Sequence, residues 1–432
     1  MNTNPKTNCL VPVTDFFQLK DKVLYWANRY GTFCFLDNQQ YNIAPHQMEC
    51  LVGVGIKYCI KANAGENALL QLSSFVNDAK ESSSWLFGHL GYDLKNEIEN
   101  LSSENPDETG FEDLFFFVPE VVIKLNEKEL WIEAENATAI AAEIVSMATT
   151  PQDVSSTVTF DYRLTKDAYS QKVELLKQHI LRGDCYEVNF CQEFFASTAI
   201  INPLYIFQKL AAISPNPFAA LYKYDNKWLI CASPERFLNK QENKIFSQPI
   251  KGTSKRDQKN VDHDIANKEW LRYSAKDRSE NVMVVDLVRN DLSKICEEGS
   301  VGVEELFGIY SFPQVHQMIS TISGTLIDGI SFTDIIKACF PMGSMTGAPK
   351  KIVMELIEKY ETRKRGIFSG ALGYINPSGD FDFNVVIRSV MYNAASGYLS
   401  YQVGSGITHY CNAAAEWDEC MMKAEAIRQV FQ

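Results

Sequence analysis

Gln248-Pro249-Ile250-Lys251-Gly252-Thr253, reading QPIKGT, follows the short apolar run Lys244-Ile245-Phe246 and precedes the polar run Ser254 to Asn260. That order predicts a strand end passing into a loop. Pro249 lacks a backbone donor and Gly252 frees the turn, so Lys251 is held in a narrow, constrained position. Taken alone, Lys251 reads as one more solvated loop lysine beside Lys255, Arg256 and Lys259. The surrounding blocks give it a different reading.

The chain has 432 residues, of which 46% are hydrophobic and 22% charged. That suffices for two or three average domains or one large composite one. A net charge of −13 argues against nucleic acid as a partner, which selects basic surfaces. An anionic substrate must therefore be drawn in by local cations and amide dipoles. Eleven scattered cysteines without a Cys-x-x-Cys pair fit reduced thiols rather than disulfides or a zinc site. The N-terminal MNTNPKTNC has no basic stretch leading into an apolar one, and no apolar run reaches membrane-spanning length. The expectation is a cytoplasmic protein with no membrane partner.

Residues 1–150 read as a β-rich region with helices, and Thr149 to Val158 as a linker into a region spanning 160–432. Leu24 to Leu36 and Leu114 to Leu125 are rich in aromatic and β-branched residues, as strands are. Leu69, Leu72 and Val76 give helical spacing, and Ser102 to Gly110 is a loop by composition. Thr165 caps a helix with the apolar stripe Tyr169, Val173, Leu176 and Ile180, closed by Gly183. CYEVNFCQEFF then reads as a strand. Helices follow at Ile265–Leu271, Asp277–Lys294, Phe332–Ala338, Pro349–Tyr360 and Ala413–Val430.

Several patterns carry chemistry on their own. In the last helix Glu416, Glu419 and Lys423 share one face. Two carboxylates one turn apart suit Mg²⁺, which takes one or two protein carboxylates; they also fit a solvated face with a Glu419–Lys423 pair. GSGI (Gly404 to Ile407) offers unobstructed backbone N–H groups as an anion nest, or a plain hairpin turn. Arg388, placed in the strand FDFNVVIRSVMY, offers a bidentate fork for a carboxylate. TGAPK sets Pro349 in the first turn of a helix whose free amides favour an anion. It lacks the terminal GK[ST] of a phosphate loop, which excludes that nucleotide motif.

QPIKGT stands between SPERF (Ser233 to Phe237) and SAKDRSENVMVVDLVRNDL (Ser274 to Leu292). After them come VHQMISTISG, FPMGSMTGAPK, GALGY, IRS, GSGI and EWDECMMKA (Glu416 to Ala424). This ordered series resembles the chorismate-utilising enzymes, which include anthranilate synthase component I, aminodeoxychorismate synthase component I, and isochorismate and salicylate synthases. The resemblance is close from about Thr165 onward and loose before it. It implies an α+β fold: a layered sandwich of two large antiparallel sheets flanked by helices, with the active site in the cleft.

In that family the residue before the glycine of QPIKGT is usually alanine in anthranilate synthases and lysine in aminodeoxychorismate synthases. Lys251 thus implies amination of chorismate by ammonia to 4-amino-4-deoxychorismate, toward p-aminobenzoate and folate. The alternatives are an anthranilate synthase component I and a non-catalytic chorismate- or tryptophan-binding scaffold. By the same resemblance Lys251 is the nucleophile and Glu235 the acid. Glu280 and Glu419 hold Mg²⁺, with Glu416 in the acidic cluster. Arg388, Gly404, Ser405, Gly406, Lys423, Tyr374, His316, Thr346, Gly347 and Ala348 contact substrate. No glutaminase nucleophile motif is present, so ammonia is expected from a separate glutamine amidotransferase. Glu187 departs from the glutamine usual in the amine-transferring branch; isochorismate and salicylate synthases carry lysine there.

Overall fold

The computed structural model describes residues 7–41, 49–149 and 157–432. The expected linker, Thr149 to Val158, lies mostly outside the described residues. Two antiparallel sheets carry the fold, with twelve and ten strands among the described residues. The larger runs from Thr7–Pro12 through Thr32–Asp37, Phe218–Tyr224 and Lys227–Ser233 to Ser389–Asn393, Tyr398–Ile407 and Glu187–Ala196. The smaller runs from Ile250–Lys255 through Val315–Thr325, Lys244–Gln248 and Arg236–Gln241 to Phe381–Val385, Ala371–Ile375 and Leu86–Leu90. Both draw strands from before and after residue 150. Thr32 lies opposite Tyr224 in one, and Leu86 opposite Ile375 in the other.

Side chains on a strand alternate between faces, so one sheet can serve two cores. Phe33 and Phe35 enter the core beneath helices Phe16–Ala27, Pro203–Ile213 and Ala413–Val430, while Cys34 enters the core shared with the smaller sheet. Between the sheets, Phe115 stacks on Tyr224 with ring centroids 4.2 Å apart. Phe87 lies over Gly53, where an added Cβ would come within 2.5 Å of its ring. Its neighbour Phe116 faces outward onto Phe332 of the helix Phe332–Cys339. Each buried phenylalanine contributes roughly 1.5–3 kcal/mol. The layers are helices, sheet, sheet and helices, the α+β sandwich that the resemblance implied. Among the described residues no helix is long and apolar enough to cross a membrane. All eleven cysteines are free thiols.

The caps form as the sequence predicts. Thr165 Oγ1 accepts from the Ala168 amide at 3.2 Å, and Gly183 ends that helix at φ +85°. Five local expectations are corrected. Leu24–Ala27 is helix, not strand, as part of Phe16–Ala27. Phe16, Leu19, Val23, Trp26 and Ala27 recur at helical spacing and are buried, and Asp15 caps them; periodicity outweighs the aromatic content. QPIKGT is no loop: Ile250–Lys255 is a strand on Val315–Thr325, with an irregular register between Ile250 and Thr253. GSGI is neither nest nor turn, because it ends the strand Tyr398–Ile407, where Gly404 and Gly406 pair with Cys191 and Asn189. Pro349 precedes the helix Lys350–Tyr360 as its N-cap residue rather than joining its first turn.

Arg388 is also not in a strand. Val385 ends a strand of the smaller sheet and Ser389 begins one of the larger, so the chain crosses between sheets at 386–388. Arg388 takes φ +51° there, a left-handed conformation costing roughly 1–2 kcal/mol for a residue with a Cβ. Ala232 N–H donates to its carbonyl at 3.2 Å, which ties the corner to the neighbouring strand. Strain of this kind concentrates at functional positions.

Candidate active site

At the end of the sandwich where the chain crosses sheets lies a cavity of about 160 Å³. Glu235, Lys251, Glu280, Arg388, Glu419 and Lys423 line it, the last two from one helix and the others each from a different stretch of the chain. Glu235 follows Ser233 at the end of a strand. The bulge around Gly252 (φ +97°) re-aims Lys251 into the opening. The helix Ala275–Ser293 brings Glu280, and the C-terminal helix brings Glu419 and Lys423.

Glu235 is 3% exposed, and its Oε1 accepts from Ser344 Oγ at 2.6 Å. Burial pushes its carboxyl up to about 7, against the opposing pull of that hydrogen bond and of the Lys251 and Arg388 charges. It does not pair with Arg236. That guanidinium is bound by Asp382 through two bonds of 3.0 Å and by Gln248 at 2.7 Å. Glu235 is therefore a buried acid close to half-protonated at neutral pH, as a general acid should be.

Arg388 makes no side-chain hydrogen bond or ion pair among the described residues. Burial lowers its guanidinium to about 10, with Glu235 resisting, so it stays cationic. A fork with unused donors beside a lined cavity suits a carboxylate.

Lysines and glutamates interleave across the site. Lys251 Nζ lies 2.5 Å from Glu187 Oε1. Lys423 Nζ donates to Gly404 O at 2.9 Å and to Glu419 at 2.8 Å. Lys276 lies 3.1 Å from Glu416 and 3.8 Å from Glu280. Burial pulls Lys251 downward, but the carboxylates of Glu187, Glu280 and Glu419 outweigh it and hold its ammonium above the usual lysine value. Lys423 and the other lysines keep Glu419 below its usual value despite burial. Burial raises Glu280 to about 7.

Glu280 Oε1 is buried and has no hydrogen-bond partner. That orphaned oxygen beside a second carboxylate, Glu419, fits a hard cation. Among the described residues no group of three or more His, Cys, Asp or Glu side chains gathers as a metal cluster. Glu416 is buried against Lys276 and does not line the cavity.

Other expected contacts lie elsewhere. Tyr374 lines a separate cavity of about 100 Å³ with Asp37, Glu49 and Asp382. His316 is buried between Ser311 Oγ (2.8 Å) and Asp264 Oδ1 (3.1 Å); its strand neighbour Gln317 faces the cavity instead. Ser405 turns to the opposite face and meets Tyr169 OH at 3.0 Å. Thr346 Oγ1 donates to Met342 O, and Gly347 and Ala348 pair with Val188 and Glu187. Ser344 and Met345, just before them, reach the cavity, as do Asn189, Lys276 and Gln402. Two of these had a signal in the sequence. Gln402 shares the strand face of Gly404 and Gly406, and Lys276 stands one helical turn before Glu280.

Residues 22–429 match the family described as chorismate binding enzyme. A protein named aminodeoxychorismate synthase component 1 from Bacillus subtilis is 33% identical over 363 residues, 80% of this chain and 76% of that one. A probable chloroplastic aminodeoxychorismate synthase from rice, Oryza sativa, is 40% identical over 271 residues, 62% of this chain but only 30% of the rice protein. The crystal structure of anthranilate synthase component I from Streptococcus pneumoniae superposes with a TM-score of 0.76 at 23% identity, covering 90% of this chain and 94% of that one.

Proposed function

Because the chain belongs to the chorismate-binding enzymes, we propose that it aminates chorismate to 4-amino-4-deoxychorismate, as the synthase component of an aminodeoxychorismate synthase. The observation that carries this reading is that a lysine and a buried carboxyl raised to about 7, Lys251 and Glu235, line one cavity. Hydroxide is a poor leaving group, and Glu235 supplies the proton that lets it depart as water.

Arg388 binds one substrate carboxylate through its unused donors. Lys251 adds at the ring carbon next to the one bearing the ring carboxylate. The double bonds shift and the hydroxyl-bearing carbon loses water, protonated by Glu235. Ammonia then attacks the vacated carbon, the double bonds shift back, and the Lys251 nitrogen departs with its electron pair. Glu235, now a carboxylate, takes the surplus proton from the new amine. Glu280 and Glu419 would hold Mg²⁺, which supplies positive charge to orient and neutralise the ring carboxylate. Ammonia would come from a partner glutamine amidotransferase.

Incubation with chorismate, Mg²⁺ and ammonium, followed by product chromatography, tests the reading. Aminodeoxychorismate is expected with ammonium and not with glutamine until an amidotransferase is added. Anthranilate would instead establish the rival amination, and unchanged chorismate would leave only a binding role.

A further inference from the structure

A nucleophilic amine must be neutral, and Lys251 rests as a cation. Its one ion pair among the described residues is with Glu187 Oε1, at 2.5 Å. Glu187 is 1% exposed, and its Oε2 is buried with no hydrogen-bond partner. The backbone around the pair leaves room for it and little else. A Cβ on Gly406 would stand 2.5 Å from Glu187 Oε1 and 3.1 Å from Lys251 Nζ. Other charges face Lys251 from the packed elements, namely Glu235, Glu280, Glu419 and Lys423. None of them is within ion-pair distance of it.

We propose that Glu187 is the base that takes the Lys251 proton as the amine attacks the ring. The inference rests on the reading of Lys251 as nucleophile. In the first half-reaction a proton passes from Nζ to Oε1, and the freed electron pair forms the C–N bond. The hydroxyl leaves as water with the Glu235 proton. In the second half Nζ departs as a neutral amine, and Glu187 returns its proton. The pair thus ends as it began, and the Glu187 step consumes no co-reactant. A glutamine amide, usual here in the amine-transferring branch, does not accept a proton from an ammonium. This chain carries the acceptor inside the closed site.

The test is single-turnover adduct formation on the full chain, with chorismate and Mg²⁺ but no ammonia, followed by quenching and intact mass. Wild type should form the adduct at a rate that falls from pH 7 to 9 as Glu235 loses its proton. Glu187→Gln should form it about 10²-fold more slowly at pH 7, and that deficit against wild type should shrink about tenfold per pH unit as free amine becomes available from solvent. Glu187→Asp, which keeps a carboxylate, should recover part of the rate and the wild-type pH profile. A purely structural role would lower the rate without tilting its pH dependence. An adduct formed by Glu187→Gln at the wild-type rate overturns the base role alone. No adduct in wild type overturns the nucleophile and the base together.

Discussion

Replacing Gly406 by alanine adds one methyl group where the Lys251–Glu187 pair lies. The backbone there is extended enough to accept a Cβ, so the whole effect comes from contact. That Cβ would be 2.5 Å from Glu187 Oε1. The carboxylate must retreat by about 0.9 Å to regain ordinary contact. A displacement of that size at a reacting group costs about 10²-fold in turnover, and the overpacking costs roughly 1–3 kcal/mol of stability. Steady-state amination of chorismate with ammonium gives kcat, and urea unfolding gives the stability. A double-mutant cycle isolates the cause. In a Glu187→Ala background the methyl has space, so adding Gly406→Ala should lower kcat hardly further, a large departure from additivity. Gly406→Ala with kcat within twofold of wild type would refute the reasoning. So would simple additivity with Glu187→Ala.

Glu235→Gln should lose about 10² to 10⁴ of kcat while chorismate still binds by calorimetry; retention of turnover removes Glu235 as the acid. Because the working form of Glu235 is protonated and its carboxyl sits near 7, wild-type turnover should fall as pH rises through about 7. Glu419→Gln should keep the fold but lose most turnover and shift the Mg²⁺ titration to higher concentration; an unchanged titration would remove Glu419 as a ligand. Burial holds His89 down at about 4, with its ring nitrogens at the Tyr222 hydroxyl and the Glu112 carbonyl. Its contribution is therefore present above pH 6.5 and is lost as pH falls toward 4, by up to about 3 kcal/mol. Urea midpoints at pH 7 and 4.5 should lie closer together in His89→Gln than in wild type, and an equal gap would refute this.

Much of the scaffold was legible because it is local. Thr165 and Gly183 mark both ends of a helix within twenty residues, and the last helix has the predicted limits, Ala413–Val430. Glu235, Lys251, Glu280, Arg388, Glu419 and Lys423 of the cavity were also named by their blocks. What the blocks could not convey is orientation. On a strand one residue decides the face, so Gln317 enters the cavity while His316 beside it does not. Arg388 was expected in a strand because VVIRSVM is β-forming throughout, and nothing local marks the change of sheet at that residue. The Lys251–Glu187 contact joins residues 64 apart in the sequence. It sets the state of the lysine, since burial alone would depress the ammonium and the adjacent carboxylates outweigh it.

The interleaving of early and late strands also shapes how the protein is made. Leu86–Leu90 takes its place beside Ala371–Ile375, about 290 residues later, and at roughly 5–20 residues per second the ribosome delivers that partner about 15 to 60 s afterwards. For that interval Leu86–Leu90 has an open edge, and Thr32–Asp37 has one until Phe218–Tyr224 is made. The nascent first third thus carries unpaired apolar strands through much of synthesis, and substitutions that make those strands more adhesive should lower yield in the cell even where the completed enzyme is no less stable.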